Sequence, residues 1–186
     1  METINLSDIV KACKKGNRKA QEQLYNTFAS KMYAVCLYYS KDKDDAEDLL
    51  HNGFIKVFQK IEQFKGSGPF EAWIRRVFMN TALELYRKKR VLYSINEDID
   101  YPEYIEDADV VSQLSTDELI KLIQELPPAY QMVFNLYAIE GYSHKEISKM
   151  LDIAEGTSKS NLARARMNLQ KKVINHFKLS GRKLHE

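Results

Sequence analysis

Apolar residues recur at intervals of three and four along most of the chain, which is the pattern of amphipathic helices. Seven glycines and four prolines in 186 residues leave long stretches uninterrupted. The pattern is clearest between 44 and 64, where one face carries a set of apolar side chains, Leu50, Phe54, Val57, Phe58, Ile61 and Phe64. We therefore expect an all-α protein.

The N-terminal block is predicted to hold about four helices. The first covers residues 7–15 and stops at Gly16-Asn17, the next two cover 18–28 and 31–39, and a longer one begins near Asp44. The sequence KGSGPF, Lys65 to Phe70, then forms a loop, because it has two glycines and a proline within six residues. Helical periodicity returns after the loop, with the inward positions predicted as Trp73, Val77 and either Leu83 or Leu85.

Residues 143–172 predict two helices joined by a tight turn. Ser143 and Glu146 form a capping box at the start of the first helix. Asp152 is placed to make the turn, since aspartate tolerates the left-handed conformation, and Gly156-Thr157 is expected to open the second helix. The predicted inward face of that helix is Ser158, Leu162, Ala165 and Leu169.

The second helix is basic, and residues 157–172 contain no acid. A helix-turn-helix places such a helix in the major groove of DNA. We expect Lys159, Ser160 and Arg164 to read base edges. The same outer face also holds Thr157, Asn161 and Ala163, while phosphates are expected to meet Arg166, Lys171 and Lys172. The alternative is an amphipathic helix whose basic face is simply solvated.

Charge divides the chain into three blocks. Residues 1–90 have 17 basic and 11 acidic side chains, residues 91–113 have seven acids and no base, and residues 114–186 have 11 basic and eight acidic side chains. This arrangement is typical of two nucleic-acid-facing domains and an acidic linker. The linker is either plainly solvated or a mimic of nucleic acid that occupies a basic channel on a partner or shields the basic domains.

The helix after the loop combines arginines and lysines with Trp73, Phe78 and Tyr86. Cations that follow a backbone and rings that stack on bases suit single-stranded DNA, although each ring could instead belong to the core.

Cys13 and Cys36 have no metal-binding spacing and are expected to be buried. The acids of 44–48 lie too close in sequence to converge on a metal, so we expect no metal or cofactor. Without a membrane span or signal peptide, the chain is expected to be cytoplasmic.

Four segments, in this order, carry a resemblance to a known family: DDAEDLLHNGFIKVFQKIEQF, FEAWIRRVFMNTALELYRKKR, LPPAYQMVFNLYAIEGYSHKEISKML and EGTSKSNLARARMNLQKK. Together they resemble a sigma factor of bacterial RNA polymerase, of the small extracytoplasmic-function (ECF) class. The resemblance implies two helical domains without catalysis. Residues 1–90 would bind core polymerase and melt the promoter, 91–113 would link the domains, and 114–180 would read the upstream element.

The resemblance also implies roles for individual residues. The candidates for binding core polymerase are Asp48, His51, Asn52, Ile55 and Gln59. The Lys65–Phe70 loop resembles a loop that captures a flipped base of the non-template strand. The candidates for downstream DNA are Lys65, Ser67, Phe70, Arg75, Arg76, Asn80, Arg87 and Lys88. An anti-sigma factor covering both domains is the implied regulatory partner.

Some positions depart from the family pattern, namely Ser148, Ser158, Met79 and Ala163. We expect both serines to bond back to a carbonyl one turn earlier.

Two other classes of protein compete with a sigma factor as the function of this chain. One is a helix-turn-helix regulator whose N-terminal helical domain senses a ligand or dimerises. The other is a nuclease built on the acids of 44–48, which lacks a paired ligand set and a phosphate-binding loop.

Overall fold

The computed structural model describes residues 5–92 and 115–180, and all regular structure within these two ranges is helical. The chain forms two compact units, Met1–Leu85 and Tyr86–Glu186. Most of the expected acidic linker, 93–113, lies outside the described residues. No described helix is long and apolar enough to cross a membrane.

The first unit contains α1 (Leu6–Lys14), α2 (Arg18–Tyr39), α3 (Lys43–Lys60) and the start of α4 (Phe70–Leu92). A 3-10 turn, Ile61–Gln63, extends α3. Helices α1, α2 and α3 each have an N-cap side chain whose oxygen accepts a hydrogen bond from a backbone N–H of the first turn. These N-cap residues are Asn5, Asn17 and Asp42. The expected break between 28 and 31 is wrong, because α2 is continuous. No glycine or proline interrupts it, and its buried stripe continues from Phe28 to Met32.

The core of the first unit lies where α2, α3 and α4 pack together. Leu24, Cys36, Val57, Ile74 and Phe78 are all fully buried there. The buried face of α3 is turned slightly from the predicted one, since it contains Ala46 and Leu49 while Leu50 and Phe58 are only partly covered. Burial of both cysteines is confirmed, and it raises the pKa of the Cys36 thiol to about 12.

The second unit contains α5 (Thr116–Gln124), α6 (Pro128–Phe134), α7 (His144–Leu151) and α8 (Glu155–Ser180). A π-helical segment, Asn135–Ile139, continues α6. Capping boxes start α5 at Ser115 and α7 at Ser143. Pro128 occupies the first position of α6, where its missing N–H costs nothing.

Helix α8 is longer than the sequence suggested. It begins at Glu155, one residue before Gly156, and extends past Lys172. Val173 continues its buried stripe. The long helix is also tied to the preceding part of this unit, because Lys172 pairs with Glu125 at 2.6 Å and His176 with Glu118 at 3.0 Å.

Candidate nucleic-acid interface

The helix-turn-helix is formed by α7, the turn 152–154 and the first half of α8. Asp152 adopts the left-handed conformation with φ 54° and ψ 55°, as its position predicted. The predicted inward face of α8 is also confirmed, since all four of its side chains are at most 8% exposed: Ser158, Leu162, Ala165 and Leu169. These contacts fix which side of α8 is presented to solvent.

The exposed side at the start of α8 carries Thr157 and Lys159. Lys159 Nζ lies 2.9 Å from Glu155 Oε1, one turn earlier. This hydrogen bond and the lysine charge hold the pKa of Glu155 below its usual value. Ser160 is half-buried, and its hydroxyl donates to the Thr157 carbonyl at 3.0 Å. The first turn of α8 therefore presents a cation already paired with a neighbouring carboxylate.

Three further predicted DNA-contacting residues are less accessible than expected. Asn161 is only 8% exposed, so placing it on the outer face was wrong. Arg164 is half-buried, and its Nη1 donates to the Tyr130 hydroxyl at 3.4 Å. Tyr130 is itself 1% exposed on α6. Because α6 packs along α8, it covers this flank of the helix. Ala163 is half-buried as well.

A histidine that the sequence did not single out connects the two helices of the motif. His144 Nδ1 lies 3.0 Å from Ser158 Oγ, and the histidine ring stacks on Tyr137 with centroids 4.6 Å apart. Arg166 lies over the other partner of this stack, 5.8 Å from the Tyr137 centroid. We expected the Ser158 hydroxyl to bond back to a carbonyl one turn earlier. Its described hydrogen bond instead crosses to His144 on α7. Ser148 does bond back, to Lys145 O at 3.0 Å.

The environment of His144 favours its neutral form. Burial is the main cause of its lowered pKa, and the positive charges of Lys159 and Arg166 lower it further. Glu155 opposes them. No local sequence signal marks this cluster, because its members come from the π-helical segment, α7 and α8.

In the first unit, the loop 64–69 borders a cavity of about 360 Å³. The turn is made by Gly66 and Gly68, whose φ values of 77° and 120° are open to glycine and strained for other residues. Lys65 and Ser67 are exposed there. The full lining is Gln63, Phe64, Lys65, Ser67, Gly68, Pro69, Ala72, Trp73 and Arg76.

An aromatic cluster adjoins this cavity, and two of its rings, Phe64 and Trp73, line it. Phe64 meets Phe70 edge-on with centroids 5.0 Å apart and Trp73 at 5.6 Å. Phe70 is 5% exposed and begins α4, which favours the core position over a DNA-contacting ring of the loop. Phe78 is also fully buried and does not alternate with basic residues on a surface. Trp73 is half-buried and lines the cavity.

The other downstream candidates lie along α4. Arg76 is exposed and lines the cavity, whereas Arg75 is half-buried. Asn80 is exposed but is not part of the lining. Arg87 and Lys88 are exposed near the end of the helix. The structure thus brings Lys65, Ser67 and Arg76 together at one cavity and leaves the rest distributed along α4.

The candidate polymerase-binding residues form a continuous strip on α3. All of them are exposed: Asp48, His51, Asn52, Ile55 and Gln59. Apart from the adjacent pair His51 and Asn52, they follow one another at three- and four-residue spacing, which places them on one side of the helix. Ile55 is 45% exposed, one of the few large apolar side chains that reach solvent. Within residues 5–92 and 115–180, no group of histidines, cysteines and acids could hold a metal ion.

Comparisons with known proteins agree with this organisation. Residues 24–91 match the family model "Sigma-70 region 2", and residues 116–169 match "Sigma-70, region 4". The ECF RNA polymerase sigma factor SigW of Bacillus subtilis is 28% identical over 88% of this chain and 94% of its own length. The ECF RNA polymerase sigma-E factor of Escherichia coli K12 is 27% identical over 89% and 92%.

The structural comparison also matched the sigma factor RpoE in complex with the anti-sigma factor NepR from Bartonella quintana. It is 22% identical, covers 83% of this chain and 96% of its own, and has a TM-score of 0.49. The two family models match the two helical units in order, and the curated relatives align across nearly the whole chain. The chain belongs to the ECF group of the sigma-70 family of RNA polymerase sigma factors, and it carries regions 2 and 4.

Proposed function

We propose that this sigma factor divides promoter recognition between its two domains. As an ECF sigma factor it directs RNA polymerase to promoters and is not itself an enzyme. In our proposal, residues 1–90 bind core polymerase and capture melted DNA, and residues 114–180 read the upstream element. Residues 91–113 connect the two and occupy a basic channel of the polymerase.

The cavity beside the loop 64–69 carries the downstream part of the proposal. Its volume of about 360 Å³ lies at the low end of the ~300–1,000 Å³ range of ligand pockets. Trp73 offers a ring for stacking, and Arg76 and Lys65 supply positive charge for the adjoining phosphates. These features fit one unpaired base of the non-template strand, whose extrusion costs a few kcal/mol that such contacts must offset.

The start of α8 carries the upstream part. Thr157 and Lys159 are exposed there and Ser160 is half-buried, and we assign all three to the major groove. Arg166 is exposed, and we assign its charge to a phosphate. The accessible group of DNA-contacting residues is therefore narrower than the sequence suggested, since Asn161 is buried and Arg164 is held by Tyr130.

The strip on α3 is proposed to dock on core polymerase. Its exposed Ile55 is bordered by polar Asn52 and Gln59, as expected of an apolar anchor with a polar rim. We also propose an anti-sigma factor as a regulatory partner and the cytoplasm as the location. No metal or cofactor takes part in this mechanism.

The test is run-off transcription with purified core polymerase on genomic fragments of the source organism. We expect new transcripts that share a two-part upstream motif and depend on the added chain. A helix-turn-helix regulator with a sensing domain would give no new initiation and would not co-purify with core polymerase. That alternative also leaves the match of residues 24–91 to region 2 without explanation.

A further inference from the structure

We propose that Lys14, on α1, positions the loop 64–69. This inference rests on the proposed capture of an unpaired base beside that loop. Lys14 Nζ donates a hydrogen bond to the carbonyl oxygen of Phe64 at 2.7 Å, across 50 residues of sequence. Lys14 is half-buried. Helix α1 precedes residues 24–91, which match region 2, so this support comes from outside the matched segment.

The carbonyl of Phe64 controls how the chain enters the loop. Because the peptide group is planar, Phe64 O and the nitrogen of Lys65 lie in one rigid plane. Holding that oxygen therefore sets the direction in which Lys65 leaves. Phe64 also lines the cavity and packs against Phe70 and Trp73. One hydrogen bond from Lys14 thus steadies both a wall of the cavity and the first peptide of the loop.

The loop has few contacts of its own to fix it. A Cβ atom at Gly66 or Gly68 would meet nothing within 4 Å, and Gly68 N donates to Gly66 O at 3.0 Å within the turn. The far end of the loop is anchored by the buried ring of Phe70. The near end is held by Phe64 and, through it, by Lys14. A hydrogen bond with a charged donor is about twice as strong as a neutral one.

The neighbouring lysine provides a matched control. Lys15 is exposed, follows the last residue of α1, and carries the same charge. Lys14→Met removes the donor and keeps most of the aliphatic stem, Lys14→Arg keeps a charged donor, and Lys15→Met removes a charge without touching the Phe64 carbonyl. All three are compared as holoenzymes with core polymerase.

The experiment measures holoenzyme binding to single-stranded oligonucleotides that carry the non-template downstream element. An abasic scan with the unaltered chain first finds the position whose base contributes most. We expect Lys14→Met to weaken binding to the intact oligonucleotide about tenfold, the equivalent of one charge-assisted hydrogen bond. Binding to the oligonucleotide that is abasic at that position should not change. Lys14→Arg should restore affinity, and Lys15→Met should leave it unaltered.

Two results would overturn the inference. Equal weakening on intact and abasic oligonucleotides would mean that Lys14 contacts a phosphate, and no weakening would mean that the loop holds its shape unaided. If no abasic position weakens binding by the unaltered holoenzyme, the capture proposal itself fails, which is a distinguishable outcome.

Folding is checked on the free full-length chain through its single tryptophan. Acrylamide should quench Trp73 more strongly in Lys14→Met than in Lys15→Met, with unchanged circular dichroism. Equal quenching in the two variants would also count against the inference. Should Lys14→Met fail to fold, Lys14→Gln, whose shorter amide cannot span the same distance, takes its place in both measurements.

Discussion

Gly53 on α3 lies directly against the ring of Phe78 on α4, so that a Cβ atom at position 53 would overlap three ring carbons. Phe78 cannot easily move aside, because it is fully buried and meets Phe54 edge-on with centroids 5.3 Å apart. The packing of α3 against α4 therefore depends on the missing side chain.

We predict that Gly53→Ala destabilises the region 2 domain. Alanine in a helix interior gains about 1 kcal/mol over glycine, but overpacking a core costs roughly 1–3 kcal/mol. Because the overlap with the Phe78 ring is severe, the overpacking cost should exceed the helix gain, giving a net loss of stability of up to about 2 kcal/mol. Urea unfolding followed by circular dichroism of the full-length chain would measure it.

The matched control is Gly156→Ala, in the first turn of α8. A Cβ atom at Gly156 would meet nothing within 4 Å. This substitution should therefore be neutral or stabilise the chain by up to about 1 kcal/mol. A gain of stability in both variants would show that the Phe78 ring yields at little cost.

Features governed by local chemistry were predictable from the sequence. The Ser143 capping box and the left-handed Asp152 depend on residues within one or two turns, and both are present. The inward face of α8 also follows from spacing alone, because only one stripe of that helix can meet the other helices. These local rules were sufficient to recognise the helix-turn-helix.

Features that depend on a distant partner were missed. Phe78 closely follows two arginines in sequence and Phe70 ends the predicted loop, yet both are buried, because spacing does not say which face a neighbouring helix covers. Arg164 meets Tyr130 across 34 residues, and His144 meets Ser158 from a different helix. The candidate site was therefore located correctly as a region, while the accessibility of individual side chains needed the tertiary structure.

His144 should make the region 4 domain sensitive to mild acid. Its pKa lies below the ordinary 6.5, mainly through burial. The unfolded chain therefore binds this proton more readily than the folded one, so stability falls as pH drops below about 6.5. We predict that His144→Asn flattens this part of the profile, measured as thermal unfolding between pH 5 and pH 8.

His51→Asn is the control for that profile, since His51 is an exposed histidine on α3. It should leave the acid dependence of the unaltered chain in place. An unchanged profile in His144→Asn would mean that the stack with Tyr137 tolerates the charged ring, and the assigned cause of the acid sensitivity would be wrong.

Ile55→Ser should weaken binding to core polymerase without unfolding the chain. The side chain is 45% exposed, so its removal costs little in the free protein. Burial of its exposed part in a complex would contribute about 1 kcal/mol, which corresponds to a roughly fivefold loss of affinity. Ile139→Ser, at a similarly exposed isoleucine (36%) of the other domain, is the control. Equal effects of the two variants would argue against the α3 strip as the docking surface.

Glu155 is expected to restrain DNA binding by the start of α8. It holds Lys159 at 2.9 Å, and both side chains are largely exposed, so the pair adds little to stability. On DNA the carboxylate would have to release Lys159 and would itself face phosphates. We predict that Glu155→Gln raises holoenzyme affinity for the upstream element.

The salt dependence of binding distinguishes this release of Lys159 from a general gain of charge. If the released Lys159 also neutralises one phosphate beside the major groove, the slope of log K against log salt becomes steeper by about 0.9. Glu155→Gln should show a steeper slope only while Lys159 is present, and Lys159→Ala should remove the gain. If the double variant Glu155→Gln/Lys159→Ala bound as tightly as Glu155→Gln alone, Lys159 would not reach DNA. The DNA contact assigned to Lys159 would then have to be reassigned to the neighbouring Thr157 and Ser160.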